Sequence, residues 1–234
     1  MNSIIQFKAV TKEYRTGSTS LLAIDNASFS IEEGEFVVIL GPSGAGKSTV
    51  LNLLGGMDSA TSGDIIINGQ NITGFKEAEL TDYRAQNVGF VFQFYNLIPT
   101  LTAFENVSLI KNVVKAPHDA AEVLRSVGLG DHLNQFPSQL SGGEQQRVSI
   151  ARAICKNPTM LLCDEPTGAL DSATGIVILS LLQAMSREQK KTVIIVTHNS
   201  ALAQAAHKVI RLKNGRVTDI AINEEPLAVS EVNW

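Results

Sequence analysis

The chain holds 234 residues, 44% of them apolar, enough for one large domain or a core carrying a subdomain. Its net charge of −4 offers no basic surface for wrapping nucleic acid, so no nucleic-acid partner is expected. No apolar run approaches the roughly 20 residues of a membrane helix, residues 1–8 lack the apolar core of a secretory signal, and Cys155 and Cys163 sit in apolar sequence without metal-ligand spacing, which predicts reduced, buried thiols inside the cell.

In chain order, residues 4–10 read as a strand, 16–20 as a polar turn and 21–31 as a second strand. Glu32-Glu33-Gly34 turns into the apolar run Phe36–Leu40. Three strands before any helix predict an antiparallel β unit joined to the core. Tyr14 lies beside the first turn, where an aromatic ring either packs on the surface or stacks on a nucleotide base.

Gly41-Pro42-Ser43-Gly44-Ala45-Gly46-Lys47-Ser48-Thr49 follows that apolar run and opens a helix-like stretch over 49–54. Residues 41–48 fit G-x-x-x-x-G-K-[ST], the phosphate-binding loop. Glycines let backbone N–H groups converge on an anion, and the helix that follows adds its positive end. Lys47 suits the β- and γ-phosphates, and the Ser48 hydroxyl suits Mg²⁺.

Gly55-Gly56 and residues 59–63 break the chain before a strand over 64–67 and an Asn68-Gly69 turn. A helix is predicted around 80–84, and a short strand over 88–93 that ends at Gln93. Between 96 and 137 the texture becomes helical, with apolar residues at helix spacing over 103–114 and 119–127. This reads as a helical insertion in the core. Residues 140–147, Leu-Ser-Gly-Gly-Glu-Gln-Gln-Arg, then open a helix running to about Lys156. Ser141 and Glu144 form a capping-box pattern, the ordinary reading. Gly142 and Gly143 cost a helix about 1 kcal/mol each, which suggests close approach of a ligand to the backbone.

Residues 159–165 form an apolar strand closed by Asp164 and Glu165. A strand buried on both faces fits a parallel sheet, and ligands bind at the carboxyl ends of such strands. There Asp164 would join a Mg²⁺ shell and Glu165 would act as general base on water; the bland alternative is a solvated strand end. A tight loop at 166–171 leads to a helix over 173–187 capped by Asp171 or Ser172. Thr192–Thr197 is a strand delivering His198 to the same edge, where a catalytic contact competes with simple packing. A short helix at 199–207, a hairpin over 208–220 with Asn214-Gly215 at its turn, and an acidic tail without usable periodicity complete the chain.

On the phosphate loop, Gln93, the 140–147 signature, the 160–165 strand with its Asp171 loop, and His198, the chain resembles the nucleotide-binding subunit of an ATP-binding-cassette transporter. The resemblance covers essentially all of residues 1–234. It implies an α/β fold: a phosphate-loop NTPase core with a mostly parallel sheet, an N-terminal antiparallel β subdomain and a helical subdomain at about 96–156. It implies ATP and Mg²⁺ as ligands. Tyr14 takes the place of the adenine-stacking aromatic, and residues 41–49 that of the phosphate cradle. Ser48, Gln93 and Asp164 fall at the metal, with Gln93 also sensing the membrane partner. Glu165 activates water, His198 contacts the γ-phosphate, and Lys47 and Gln93 complete the catalytic set. Ser141, Gly142 and Gly143 contact ATP held by a second copy in a head-to-tail dimer, with Asp171 at the seam.

Residues 92–107 and 164–171 resemble most closely the macrolide-export and lipoprotein-release branch, which includes a cell-division pair. That likeness implies a separate membrane permease with an extracytoplasmic domain, often an adaptor protein, export of antibiotics, peptides or lipid-linked substrates, and a peripheral place on the cytoplasmic face of the membrane. The alternative within the branch is mechanical or signalling work on a membrane protein without transport.

Overall fold

The computed structural model describes residues 3–17, 19–114 and 116–233. Two sheets form the frame. β1 (Ser3–Thr16) and β2 (Thr19–Glu32) make a long antiparallel hairpin. β4 (Ser62–Ile67) pairs antiparallel with the other edge of β1, and the two-residue β5 (Gln70–Asn71) completes the order β2-β1-β4-β5.

β3 (Phe36–Leu40) does not join this unit, contrary to the three-strand expectation. All five of its residues are buried, and such a strand needs cover on both faces. A hairpin sheet with many exposed positions cannot supply that. β3 instead enters the second sheet, of order β10-β9-β3-β8-β7-β6. There β6 (Val88–Val91), β7 (Met160–Asp164), β8 (Thr192–Thr197), β3 and β9 (Lys208–Lys213) run parallel, while β10 (Arg216–Ile222) returns antiparallel.

The twofold alternation of β3 splits the core. Val37 and Ile39 pack with β1 residues and with α1 (Lys47–Leu54). Phe36, Val38 and Leu40 pack with Ile178 and Leu182 of α6 (Ser172–Gln189). A third apolar cluster joins α3 (Ala103–Ser108), α4 (Ala120–Ser126) and Val148, Ala151 and Cys155 of α5 (Gly142–Cys155). The remaining helix, α2 (Glu77–Asn87), extends past both ends of the predicted 80–84.

Helix ends follow their caps. Thr102, Asp119, Ser141 and Asp171 each accept backbone N–H bonds at the starts of α3, α4, α5 and α6. Asp171, not Ser172, is therefore the cap of α6. The helix expected over 103–114 stops at Ser108 and tightens into a 3₁₀ turn at Leu109–Asn112 before the β-branched pair Val113-Val114. The helix expected at 199–207 is a 3₁₀ segment, Ser200–Ala205, started by the Asn199 side chain. Both cysteines are free and buried. Burial raises both thiols above their ordinary pKa.

The acidic tail, which shows no pattern in sequence, is fastened down. Val229 and Val232 are buried in the α6 cluster, and the Gln183 amide donates to Leu227 O (2.8 Å) and accepts from Val229 N (3.0 Å).

His207 sits at the foot of β3. The Phe36 N–H donates to its Nδ1 at 3.0 Å, and its own N–H donates to Phe36 O at 2.9 Å. The first bond needs a lone pair on Nδ1, hence a neutral ring. Burial lowers the His207 pKa, with the nearby Glu35 carboxylate opposing. The unfolded chain takes up this proton near pH 6.5, about the ordinary value, while the folded chain resists it. His207 therefore adds stability above that pH, and the contribution is lost as pH falls through the depressed folded value. The wild-type melting temperature is expected to fall more steeply from about pH 7 to about pH 5 than that of His207→Gln. Parallel melting curves would show the role absent.

Candidate nucleotide site

The carboxyl ends of β3, β8, β7 and β6 lie along one edge, so the residues that follow these strands meet there. After β3, the loop at 41–46 turns back before α1 starts at Lys47. Gly46 caps α1 with φ 99°, and a Cβ there would stand 2.6 Å from Ala23 O and 2.8 Å from Ile24 Cδ1. The loop thus lies directly on β2. Gly215 N donates to Ala45 O at 3.1 Å, which pins it also to the β9–β10 turn. Lys47 Nζ reaches back over the loop to Gly41 O (2.7 Å) and Pro42 O (3.0 Å).

Together these elements enclose an open cleft of ≈ 890 Å³. It is lined by Ser43, Gly44, Gly46, Lys47, Ser48 and Thr49 of the loop and α1, by Gln93, Asp164, Glu165 and His198 from the ends of the parallel strands, and by Tyr14, Leu21, Leu22, Ala23, Asn214 and Gly215 from the two hairpins. Gly41, Pro42 and Ala45 support the loop without lining the cleft. The sequence reading missed the Leu21–Ala23 wall and the Asn214-Gly215 corner. The available signal was two leucines in a polar hairpin, Leu21 and Leu22, which remain 65% and 45% exposed.

Asp164 is half-buried, and burial raises its carboxyl pKa; the Ser48 hydroxyl and, less strongly, Lys47 oppose this. Its side-chain partner is the Ser48 hydroxyl at 3.4 Å, a weak contact. Glu165 is held in an unusual backbone conformation, φ 46°, with its N–H donating to Val196 O at 3.0 Å. Its carboxylate accepts from Thr197 Oγ1 (2.9 Å) and His198 N (3.1 Å), and lies 2.9 Å from His198 Nδ1. A left-handed non-glycine residue costs on the order of 1–2 kcal/mol; here these bonds hold it. Gln93 rests on the 166–170 loop, where a Cβ on Gly168 would stand 2.8 Å from Gln93 Nε2.

Tyr14 is 37% exposed. Its hydroxyl donates to Asp58 Oδ2 at 2.7 Å, and Lys12 Nζ, itself bonded to Asp58 Oδ1, lies 4.9 Å from the ring centroid. These contacts hold the ring at the cleft it helps to line.

Ser141, Gly142 and Gly143 stand apart from this cleft. The Ser141 amide and hydroxyl both donate to Glu144 Oε2, at 2.7 and 2.8 Å. The two glycines have an internal reason as well: added Cβ atoms would stand 2.8 Å from the Tyr95 hydroxyl and 2.3 Å from Thr174 Cγ2. Asp171 is engaged as the α6 cap, accepting from Thr174 N at 3.0 Å and Thr174 Oγ1 at 2.7 Å, which hold its carboxyl pKa low.

A parallel sheet that ends one strand in a lysine-bearing glycine loop and the next two in acids and a histidine belongs to the phosphate-loop class of nucleotide-binding cassettes. Residues 24–168 match the ABC transporter family, and the chain belongs to it. An uncharacterized ABC transporter ATP-binding protein of Mycobacterium tuberculosis is 44% identical over 227 residues, 95% of this chain and 91% of that protein. Another, MJ0796 of Methanocaldococcus jannaschii, is 45% identical over 223 residues, 92% of this chain and 95% of that protein. A dimeric structure of that cassette in a post-hydrolysis state bound to ADP and Pi matches with a TM-score of 0.85 at 43% identity, covering 93% of this chain and 98% of that one. The macrolide export ATP-binding/permease protein MacB of Rhodopirellula baltica is 41% identical over 223 residues, 92% of this chain but 33% of that longer protein.

The geometry at Gly46 sets a test. Gly46→Ala is expected to destabilise the chain by about 2 kcal/mol or more, combining left-handed strain with contact against Ala23 O, and to weaken nucleotide binding. Chemical denaturation and a fluorescent-nucleotide titration check this; unchanged values for both would show that the loop has slack.

Proposed function

We propose that the chain binds and hydrolyses ATP as a head-to-tail dimer and so drives a separate membrane permease. The observation that carries this is the split between the two halves of the machinery. Lys47, Ser48, Gln93, Asp164, Glu165 and His198 share one cleft. The Ser141–Gly143 tip lies outside it, so a tip that touches nucleotide does so across a subunit boundary. The dimeric MJ0796 cassette with ADP and Pi supports dimerisation and the hydrolytic reading.

Each residue has a task in this proposal. Tyr14 stacks on adenine. The 41–49 loop and the α1 N-terminus hold the phosphates, with Lys47 exchanging the carbonyls of Gly41 and Pro42 for phosphate oxygens. The hydroxyl of Ser48, the amide of Gln93 and the carboxylate of Asp164 are the hard oxygen donors that Mg²⁺ prefers. A half-buried carboxylate with a single weak partner fits that ion. When bound, Mg²⁺ neutralises charge on the phosphates. Glu165 takes a proton from the attacking water, and Thr197 and the His198 backbone aim its carboxylate. His198, whose side chain is 75% exposed, swings from Glu165 to the γ-phosphate. Asp171 lies at the dimer seam.

We read residues 96–156 as the helical subdomain that passes closure to the permease, with Gln93 as its sensor. Among the described residues no helix is long and apolar enough to cross a membrane, consistent with a peripheral subunit on the cytoplasmic face. The likeness to a macrolide export protein supports export; antibiotics, peptides or lipid-linked compounds as cargo, and an adaptor, are what this reading expects.

Lys47→Ala is expected to abolish turnover. Glu165→Gln is expected to slow hydrolysis on the order of 10²–10⁴-fold while ATP binding persists. Light scattering of Glu165→Gln at saturating ATP and Mg²⁺ should then show a dimer; a strict monomer would sink the proposal.

A further inference from the structure

Gln146 is one of five side chains among the described residues with a buried polar atom that has no partner. It lies on the second turn of α5 and is fully buried. Its Nε2 donates to Phe92 O at 3.3 Å and to Pro166 O at 2.8 Å. Both partners are carbonyls, so the amide's orientation is fixed: the NH₂ end must face them. Its Oε1 has no hydrogen-bond partner among the described residues. A half-satisfied buried amide is worse for stability than an apolar side chain of the same size.

The two carbonyls are specific places. Phe92 immediately precedes Gln93, and Pro166 immediately follows Glu165. The ladder between β6 and β7 ends at Val91 and Cys163, so no strand bond ties the chains beyond that point. Gln146 supplies the tie. A second side chain of the same helix holds the far side of the loop: Arg152 donates to Tyr95 O at 3.0 Å and to Asn96 O at 2.7 Å. The segment 92–96, with Gln93 inside it, is thus bonded to α5 at both ends. The first turn of α5 is the Ser141–Gly143 tip itself.

We propose that Gln146 is a positioning residue that fixes the water-activating Glu165 and the sensing Gln93 at set distances from the signature tip of its own subunit. It touches neither nucleotide nor water. It acts through two peptide groups, so that movement of α5 shifts both side chains together. The inference rests on the roles given above to Glu165 and Gln93.

The experiment is steady-state Mg-ATPase of the purified chain carrying Gln146→Leu, which keeps the volume and removes both donors. Nucleotide affinity is measured in the Glu165→Gln background with and without Gln146→Leu. The expected result is a kcat lowered about ten- to a hundredfold, the scale of a small misplacement of a catalytic group, with KM for ATP within about threefold and affinity unchanged, since the phosphate loop is untouched. A kcat within about twofold of wild type overturns the proposal, and so does a parallel loss of kcat and affinity, the mark of general structural damage. Should Gln146→Leu fail to melt cooperatively, Gln146→Glu decides. Buried and neutral, it offers one O–H and serves one carbonyl, so the same KM–kcat split is expected, and a wild-type kcat overturns the proposal. If Glu165→Gln itself retains wild-type turnover, the reading of Glu165 fails, whatever Gln146 does.

Discussion

Five consecutive apolar residues at Phe36–Leu40, all buried, can be covered only between two layers. One layer is α1 with the antiparallel hairpin behind it, and the other is α6. That requirement removes β3 from the hairpin sheet and places it between β8 and β9. Once β3 is there, the loop that follows it must open at the carboxyl edge of the parallel strands. The same edge receives whatever follows β6, β7 and β8. The cleft's composition is thus a consequence of how one strand is buried, and its residues come from segments more than a hundred positions apart in the chain.

The cleft is held together by internal bonds that a ligand can replace in kind. Lys47 lies on two carbonyl oxygens of its own loop, and His198 lies on the Glu165 carboxylate. Both are hydrogen bonds to oxygen, and a phosphate presents the same atoms with more charge, so the exchange favours the ligand. Neither group has to be drawn out of an apolar site first. Donors that already face the cleft need little reorganisation, the condition under which electrostatic stabilisation is most effective. Asp164 differs, because burial opposes its charge and outweighs the relief that the Ser48 hydroxyl and Lys47 give.

Much of this was legible in the order of residue types. The phosphate loop declares itself because its glycines and lysine have fixed spacing and follow an unmistakable buried strand. Asp164, Glu165 and His198 could be placed at one edge because strands buried on both faces imply a parallel sheet. What the residues alone could not show was pairing between distant segments. The hairpin wall at Leu21–Ala23, the corner at Asn214-Gly215, and the Asp58 carboxylate that pins Tyr14 are all brought in by tertiary contact. Local rules fail where tertiary packing decides: β3 reads clearly as a strand but its partners β8 and β9 lie far along the chain, two helices shorten into 3₁₀ turns, and the tail gives no periodicity although Val229 and Val232 are buried.

The signature segment shows how one sequence feature serves two demands. Gly142 and Gly143 are costly in a helix, and a ligand approaching the backbone is one reason to keep them. The fold supplies another. Tyr95 and Thr174 press against the first turn of α5 so closely that a methyl group at either glycine would meet them. Tyr95 belongs to the loop after Gln93, and Thr174 to the first turn of α6, just past the Asp171 cap. The tip of α5 is therefore wedged between the segments that follow Gln93 and Glu165, while its shaft holds both through Gln146 and Arg152. A contact made at Ser141 by another molecule would bear on a helix with no slack toward either segment. Rigidity of that kind arises from close packing and directed hydrogen bonds, and it links the outward-facing tip to the chain's own cleft without any moving part between them.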